Sequence, residues 1–338
     1  MVTTILDAAN PKHIELCAET IRSGGLVAIP TETVYGLGAN ALDESAVAGI
    51  FTTKGRKPDN PLIVHVAYSK DIKDLVREIP DVFESLADKC WPGPLTLIMK
   101  KSERIPQIVS AGLDTVAIRI PNHAAALALI SASGCPIAAP SANPSGSPSP
   151  TKAIHVKNDI GGKIPYILDG GDCAVGLEST VLDISEATPL ILRPGAVTYD
   201  ELKKILKNVE ICTEIKNQPP RSPGMKYRHY APKAPLTAIL GEPSETAEYI
   251  RAKMDSSTAA LMFDDYKFDH PNVIAYGASD DFETQAAMLF DALRTIDSME
   301  ITNIYAQVPE ENRLGLAIAN RIKKAAGKNI TDLQKTRE

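Results

Sequence analysis

Basic residues that could bind phosphate lie in one short segment at residues 54–58, which reads Lys-Gly-Arg-Lys-Pro and follows a helical pattern over residues 43–54. Gly55 and Pro58 restrict the backbone, so the three cations stay near one another, and an arginine fork can bind phosphate bidentately. Three cations at a helix C-terminus could equally pair with the helix dipole and face solvent. Both interpretations stay open at this stage.

Two further residues stand out because they interrupt apolar strand patterns. Arg119 lies within Ala-Ile-Arg-Ile-Pro at residues 117–121. A buried arginine is costly without an anion nearby, so its partner is either a structural glutamate or a substrate carboxylate. His65 lies between valines, where a hydrogen-bonded core histidine is the simplest interpretation.

A loop rich in hydroxyl groups follows at residues 140–150, with four prolines and four serines. Such a composition is typical of a flexible linker. Strand patterns of the same domain resume after it, so a loop on that domain is the better prediction. Its prolines would hold hydroxyl and N–H groups where phosphate could bind, and the two interpretations are about equally supported.

A glycine-containing segment at residues 30–38 reads Pro-Thr-Glu-Thr-Val-Tyr-Gly-Leu-Gly. Residues 36–41 fit a dinucleotide fingerprint, with Asp59 about 20 residues further on. We disfavour it, because five polar or bulky residues separate the preceding strand from the first glycine, and a tight turn is at least as plausible. A P-loop sequence and metal-ligand spacings are both absent from the chain, so we predict no P-loop and no metal site built from protein ligands.

Composition limits the classes of protein to consider. The chain has 338 residues, 44% hydrophobic and 23% charged, with a net charge of −6. These values are typical of a globular protein of two domains and argue against broad coating of nucleic acid. The five cysteines are widely spread, which predicts reduced, mostly buried thiols. The N-terminus does not have the pattern of a signal peptide, so we expect a cytoplasmic protein.

The order of apolar patterns predicts two domains and a linker. Strand patterns outnumber helical ones in residues 1–212, which predicts an α/β domain with a twisted, partly antiparallel sheet. Residues 213–234 are basic and proline-rich and read as an extended linker. Residues 235–338 alternate strand and helix patterns, which predicts a smaller parallel α/β domain.

Taken together, the motifs resemble the threonylcarbamoyl-AMP synthase family (Sua5/YrdC/YwlC), in particular its two-domain Sua5 type. The resemblance covers about residues 5–212 in the right order, and residues 222–232 resemble the family's linker. The last hundred residues match by position and pattern. The motifs are Pro-Thr-Glu-Thr-x-Tyr-Gly-Leu-Gly (30–38), Lys-x-Arg (54–56), Pro-Leu (61–62), Trp-Pro-Gly-Pro-Leu-Thr (91–96), Arg-x-Pro (119–121), Pro-Ser-Ala-Asn-x-Ser-Gly (140–146), Ser-Thr-Val-x-Asp (179–183) and Leu-Arg-Pro-Gly (192–195).

The resemblance implies a YrdC-like mixed sheet with an open concave site and a Rossmann-like C-terminal domain. It implies a nucleotidyltransferase that makes threonylcarbamoyl-AMP and pyrophosphate from L-threonine, bicarbonate and ATP. Mg²⁺ would be held mainly by phosphates. The product would pass to a separate tRNA threonylcarbamoyl transferase that modifies adenosine 37, so a weak contact with tRNA is conceivable and a membrane partner is not expected.

The same resemblance implies a set of site residues. Lys54 and Arg56 would be catalytic. The residues expected to bind threonine are Thr33, His65, Arg119, the Ala139 backbone and Ser179. Those expected to bind ATP are Arg56, Asn60, Thr115, Ser141, Asn143, Ser149, Arg193 and Tyr230. We also expect Tyr230 and its neighbours to close over the site when both substrates are bound.

Two other functions fit parts of the sequence. An RNA-binding module could use the same basic concavity, although the acidic pI of about 5.6 and the lack of aromatic stacking platforms count against it. A carbamoyl-transfer module of the kind found in hydrogenase maturation proteins is the second alternative. Those proteins carry acylphosphatase and zinc-finger regions, which this sequence lacks.

Overall fold

The computed structural model describes residues 1–212 and 229–335 and divides the chain into two compact units. Of the described residues, the first unit contains 1–145, 150–174 and 178–212, and the second contains 146–149, 175–177 and 229–335. Most of the predicted linker, residues 213–228, lies outside the described part. The boundaries at residues 212 and 235 therefore stay a prediction.

The first unit is built on one mixed sheet. Its described strands follow the order β1-β8-β2-β3-β7-β4-β6-β5-β9-β10-β11, with parallel and antiparallel neighbours. This confirms the predicted partly antiparallel sheet. The strands are β1 (Thr4–Asp7), β2 (Val27–Ile29), β3 (Gly36–Asn40), β4 (Ile63–His65), β5 (Leu95–Lys100), β6 (Thr115–Arg119), β7 (Ile137–Ala138), β8 (Tyr166–Asp169), β9 (Thr180–Asp183), β10 (Leu190–Arg193) and β11 (Glu210–Ile211).

The helix predicted over residues 43–54 is present in the first unit as α2, and the first two helices have recognisable end residues. Asn10 caps α1 by accepting a hydrogen bond from the Lys12 N–H at 3.0 Å, and Gly55 ends α2 in the left-handed conformation at φ 62°. The helices are α1 (Pro11–Arg22), α2 (Glu44–Lys54), α3 (Phe83–Cys90), α4 (Gln107–Ser110), α5 (Ala124–Ser133), α6 (Ala153–Ile160) and α7 (Tyr199–Ile205), with a 3₁₀ helix at Ser69–Asp74.

Residues 36–40 correct one sequence-based expectation. They form neither a phosphate-binding turn nor a tight turn, but strand β3, which pairs antiparallel with β2 through Ile29 and Gly36. Glycine is favoured at residue 36 because a Cβ there would lie 3.1 Å from the Ala139 Cβ, which is tighter than most contacts of this kind. The glycine thus allows β3 and the segment after β7 to approach closely.

The second unit has a five-stranded sheet in the order β14-β13-β15-β12-β16, and its pairs are all parallel. This confirms the predicted parallel α/β domain. The elements are β12 (Leu236–Leu240), α8 (Pro243–Arg251), β13 (Thr258–Met262), β14 (Val273–Ala275), α9 (Phe282–Asp297), β15 (Asn303–Gln307), α10 (Gly315–Ala326) and β16 (Ile330–Asp332). Within the described residues, the helices are too short or too polar to cross a membrane.

Candidate active site

One face of the first unit's sheet carries two of the residues predicted to bind threonine, His65 and Arg119. Strands β4 and β6 are parallel, and their register pairs His65 with Arg119 and Ile63 with Ala117. Side chains two residues apart point to the same face of a strand, so these four lie on one face. The carboxyl ends of both strands therefore present an imidazole and a guanidinium side by side.

The row continues across the neighbouring strands. The pairing of Leu97 with Ile118 places Thr96 opposite Arg119, and the Thr96 hydroxyl lies 2.7 Å from that of Ser179. Arg193 in turn contacts Ser179. We call these side chains the polar row: His65, Arg119, Thr96, Ser179 and Arg193. Below the row, the same face is covered by a separate small apolar cluster, Ile63, Ile98, Ala117, Val181 and Leu192.

Arg119 has an anionic partner within the protein. Its Nη2 lies 2.6 Å from the Glu32 carboxylate, and both side chains are less than 10% exposed. Arg119 also donates to the Gly93 carbonyl and to the Thr33 hydroxyl. Of the two alternatives, the structural glutamate is therefore present. A guanidinium has five N–H donors, so two stay available to a ligand.

Thr33 is linked to a second buried hydroxyl. Its Oγ1 lies 2.8 Å from the Arg119 Nη1 and 2.8 Å from the Thr31 Oγ1. Thr31 itself donates to the Val34 carbonyl at 2.7 Å. These contacts tie the loop after β2 to the end of β6 and hold Thr33 beside the polar row.

His65 is buried without being fully hydrogen-bonded. It is 4% exposed, and its Nδ1 has no hydrogen-bond partner. Burial, and after it the charge of Arg119, lowers the pKa of His65 to about 3. The imidazole is therefore neutral at physiological pH and presents an unsatisfied nitrogen. This differs from the satisfied core histidine that its position suggested, and such an atom is typical of a ligand site.

Ser179 is held by Arg193 from the neighbouring strand. Arg193 Nε and Nη2 donate to the Ser179 carbonyl at 3.1 and 2.9 Å, and Nη2 also lies 3.2 Å from the Ser179 hydroxyl. Gly195 makes this approach possible, because a Cβ there would lie 2.3 Å from the Thr180 nitrogen. The structure thus places Arg193, which was expected to bind ATP, beside a residue expected to bind threonine.

The backbone of Ala139 reaches the same region. Its N–H donates to the Ile63 carbonyl at 3.0 Å, which fixes this residue beside β4. The following segment is fixed to β3, because Leu37 N–H donates to the Pro140 carbonyl and Ala142 N–H to the Tyr35 carbonyl. Residues 139–142 are therefore a rigid border of the site.

Lys54 holds the serine-rich loop from inside. Its Nζ donates to the carbonyls of Ser141 and Asn143, and the Ser145 N–H donates to the Lys54 carbonyl. Burial, followed by the charge of Arg56, lowers the pKa of Lys54 well below its usual value. Lys54 therefore does not face solvent. The interpretation that the cations at residues 54–58 face solvent therefore holds only for Lys57, which is exposed.

A second group lies toward the other end of the same strands. Arg56 donates to the Asn60 carbonyl at 2.9 Å. Asn60 is 1% exposed, and both polar atoms of its side chain have no hydrogen-bond partner. Thr115 begins β6, four residues before Arg119, which separates them by about 13 Å along the strand. We call Arg56, Asn60 and Thr115 the amino-end group.

Ser149 and Tyr230 belong to the second unit and are described within it. The Ser149 carbonyl accepts a hydrogen bond from the Arg294 Nε at 3.3 Å. Tyr230 is 5% exposed, and its ring packs 5.4 Å from that of Phe290 and 5.6 Å from the Arg321 Cζ. The expected closure by Tyr230 stays a prediction, and its neighbours at 222–228 lie outside the described residues.

Sequence reasoning missed three residues that support this site: Thr31, Glu32 and Thr96. All three lie inside motifs that were singled out, at residues 30–38 and 91–96. Only the tertiary contacts with Thr33, Arg119 and Ser179 reveal their roles. In the described parts of the chain, no cluster of three or more His, Cys, Asp or Glu side chains could hold a metal ion.

Comparison with known proteins bears directly on this site. Residues 19–195 match the family model described as "Telomere recombination" (Sua5/YciO/YrdC), and residues 197–327 match the model described as "Threonylcarbamoyl-AMP synthase, C-terminal domain". Both halves of the chain thus match in the order predicted from the motifs.

Whole-length relatives agree with the family models. The chain is 46% identical over 94% of its length, and 95% of the relative's, to threonylcarbamoyl-AMP synthase from Pyrococcus abyssi. It is 43% identical over 96% of its length, and 95% of the relative's, to the Bacillus subtilis enzyme of the same name. The crystal structure of P. abyssi Sua5 complexed with L-threonine has a TM-score of 0.90 at 43% identity and covers 98% of this chain and 100% of that one. The chain therefore belongs to the Sua5-type threonylcarbamoyl-AMP synthase family, with a YrdC domain followed by a Sua5 C-terminal domain.

Proposed function

We propose that this chain joins L-threonine, bicarbonate and ATP into threonylcarbamoyl-AMP and pyrophosphate on the face of the first unit's sheet. The observation that carries the proposal is a pair of unsatisfied buried groups, the His65 Nδ1 and the Asn60 amide. Buried polar atoms normally have partners, so atoms without one are candidates for contact with a ligand or water. One such group lies at each end of the same two strands.

The polar row would bind threonine. Arg119 keeps two N–H donors for the carboxylate, while the Ala139 carbonyl and the neutral His65 offer further polar atoms. Thr33 and Ser179 add hydroxyl groups. The Glu32 carboxylate neutralises part of the Arg119 charge, so the site attracts an anion without leaving a buried cation unpaired when it is empty.

The amino-end group and the serine-rich loop would bind ATP. Arg56 offers a fork for phosphate oxygens, Asn60 and Thr115 offer neutral polar groups, and Ser141, Asn143, Ser149 and Tyr230 complete the predicted set. Lys54 fixes the loop at Ser141 and Asn143. Arg193, beside Ser179, would lie where the two substrates meet.

The chemistry requires positioning and charge neutralisation more than a covalent nucleophile. Bicarbonate condenses with the threonine amine and loses water to give a carbamate. A carbamate oxygen then attacks the α-phosphorus, a new P–O bond forms, and pyrophosphate leaves with the electron pair of the broken bond. Cations are needed because this step brings several negative charges together.

Mg²⁺ fits the donor set only in a limited way. Because the described residues contain no carboxylate cluster, ATP phosphates and water would supply most of its ligands, and it would neutralise phosphate charge when bound. The transfer of the product to a tRNA-modifying transferase and the cytoplasmic location both remain predictions.

The proposal is tested by pyrophosphate release from ATP with the full chain. We expect release to require both threonine and bicarbonate, and omission of either one to abolish it. An Asn60→Ala variant should raise the KM for ATP more than that for threonine, and a His65→Ala variant should do the reverse. Release that is independent of threonine would contradict the proposal, as would equal effects of both variants on both substrates.

A further inference from the structure

One face of helix α9 holds two segments that lie far apart in the chain. Phe290, Arg294 and Asp297 are spaced i, i+4 and i+7, so their side chains lie on the same face of the helix. We call these three side chains the α9 face. The segments that it contacts are residues 148–149, in the serine-rich loop, and residues 230–233, at the end of the predicted linker.

Arg294 fixes the backbone of the serine-rich loop. Its Nη2 donates to the Pro148 carbonyl at 2.6 Å, and its Nε donates to the Ser149 carbonyl at 3.3 Å. Two donors of one planar guanidinium on neighbouring carbonyls restrict the backbone at both residues. The position of Ser149, which is expected to bind ATP, therefore depends on a side chain of α9.

Tyr230 has a backbone conformation that needs support from its neighbours. Its φ is 63°, in the left-handed region that bulky residues rarely adopt. Such a conformation persists where the surrounding contacts fix it. The Phe290 ring lies 5.4 Å from the Tyr230 ring, and the Arg321 Cζ, from α10, lies 5.6 Å from the centre of the same ring. Arg321 is fully buried, which strengthens the attraction between its charge and the aromatic ring.

The residues that follow Tyr230 are fixed in the same region. The Ala231 N–H donates to the Gly146 carbonyl at 2.8 Å, and the Lys233 N–H donates to the Asp297 carboxylate at 2.8 Å. The Lys233 Nζ donates to the Asp297 carbonyl at 3.1 Å. The two segments are therefore fixed to each other as well as to α9.

We propose that Phe290, Arg294 and Arg321 are positioning residues for the nucleotide, because they hold Ser149 and Tyr230 where these two are expected to contact ATP. The inference rests on the proposed function for the assignment of Ser149 and Tyr230 to ATP. It gives helices α9 and α10 a role in the reaction, although neither helix carries an expected ATP contact itself. The polar row belongs to the first unit, so loss of these side chains should affect ATP more than threonine.

The test separates the KM for ATP from the KM for threonine in pyrophosphate release by the full chain. Arg321→Met removes the cation over the Tyr230 ring, and Arg294→Met removes both donors to the loop backbone. Each should raise the KM for ATP by about threefold to tenfold and change the KM for threonine by less than about twofold. Arg251→Met is the matched control, because the Arg251 Cζ lies 4.9 Å from the centre of the Phe268 ring in the same unit. This control should leave both KM values unchanged.

A double variant shows whether Arg321 acts through Tyr230. Tyr230→Ala by itself should raise the KM for ATP, and Arg321→Met should add almost nothing in that background. If Arg321→Met is too unstable to assay, Phe290→Leu tests the same ring contact from α9, because it removes one ring but keeps an apolar side chain. Its effect should also disappear in the Tyr230→Ala background. Additive effects in these double variants would overturn the positioning role.

The outcomes distinguish this inference from the proposed function. Equal rises in both KM values for Arg294→Met and Arg321→Met would overturn the inference, as would a normal KM for ATP in both variants. A normal KM for ATP in Tyr230→Ala would overturn it as well, because the position of Tyr230 would then not matter to the nucleotide. In each case, release by wild type that still requires threonine and bicarbonate would leave the proposed function intact.

Discussion

The buried His65 makes stability depend on pH in a way that can be calculated. The pKa of this imidazole is about 6.5 in an unfolded chain and about 3 in the folded protein. Between these values the unfolded state binds more protons, so the free energy of unfolding falls as pH is lowered below about 6.5. The linkage relation gives a loss of about 2 kcal/mol between pH 7 and pH 5 from this one group.

The perturbation is a His65→Gln variant, which removes the titrating group while keeping a polar side chain. Urea unfolding of the first unit would be followed at pH 7 and pH 5 for wild type and variant. The variant and wild type can differ in stability already at pH 7. We therefore compare the loss of unfolding free energy from pH 7 to pH 5 in wild type with the same loss in the variant. We expect wild type to lose about 2 kcal/mol more than the variant.

A His270→Gln variant in the second unit is the control. It shows how much removal of an imidazole elsewhere in the protein changes the loss of unfolding free energy between pH 7 and pH 5. Histidine resonances followed by NMR from pH 8 to pH 5 give an independent reading, with His65 identified from its absence in the variant. Parallel pH-dependent losses in wild type and His65→Gln would refute the reasoning, as would a His65 resonance that titrates near pH 6.5.

Two further predictions concern the contacts around the polar row. Glu32→Ala leaves Arg119 as a buried, uncompensated cation and should lower the free energy of unfolding, measured by urea denaturation, by about 3–5 kcal/mol. Glu32→Gln should lower it by less, and equal losses in the two variants would contradict the ion-pair argument. Gly195→Ala places a Cβ 2.3 Å from the Thr180 nitrogen and should raise the KM for threonine through displacement of Ser179. Gly49→Ala is the control for a change from glycine to alanine, because the nearest atom to a Cβ at residue 49 is 3.6 Å away.

Much of the fold could be predicted because local signals agree with it. The helical pattern over residues 43–54 and the alternation after residue 235 are short-range features, and the structure confirms the elements they predict. Residues 36–40 were misjudged, because glycine in a strand has no local signal. The glycine at residue 36 is explained by the close approach of Ala139, which is about a hundred residues away in the chain.

The features of the site also fall into those that the sequence predicts and those that only the tertiary structure reveals. The sequence alone determined that cations, hydroxyls and a histidine lie in separate segments that match one family in one order, because these motifs are local strings of residues. Tertiary structure alone decided that Glu32 neutralises Arg119, that Lys54 is buried under the serine-rich loop and that Thr33 contacts both Arg119 and Thr31. The physical reason is that hydrogen bonds and ion pairs depend on distances of about 3 Å between atoms, and sheet register sets those distances.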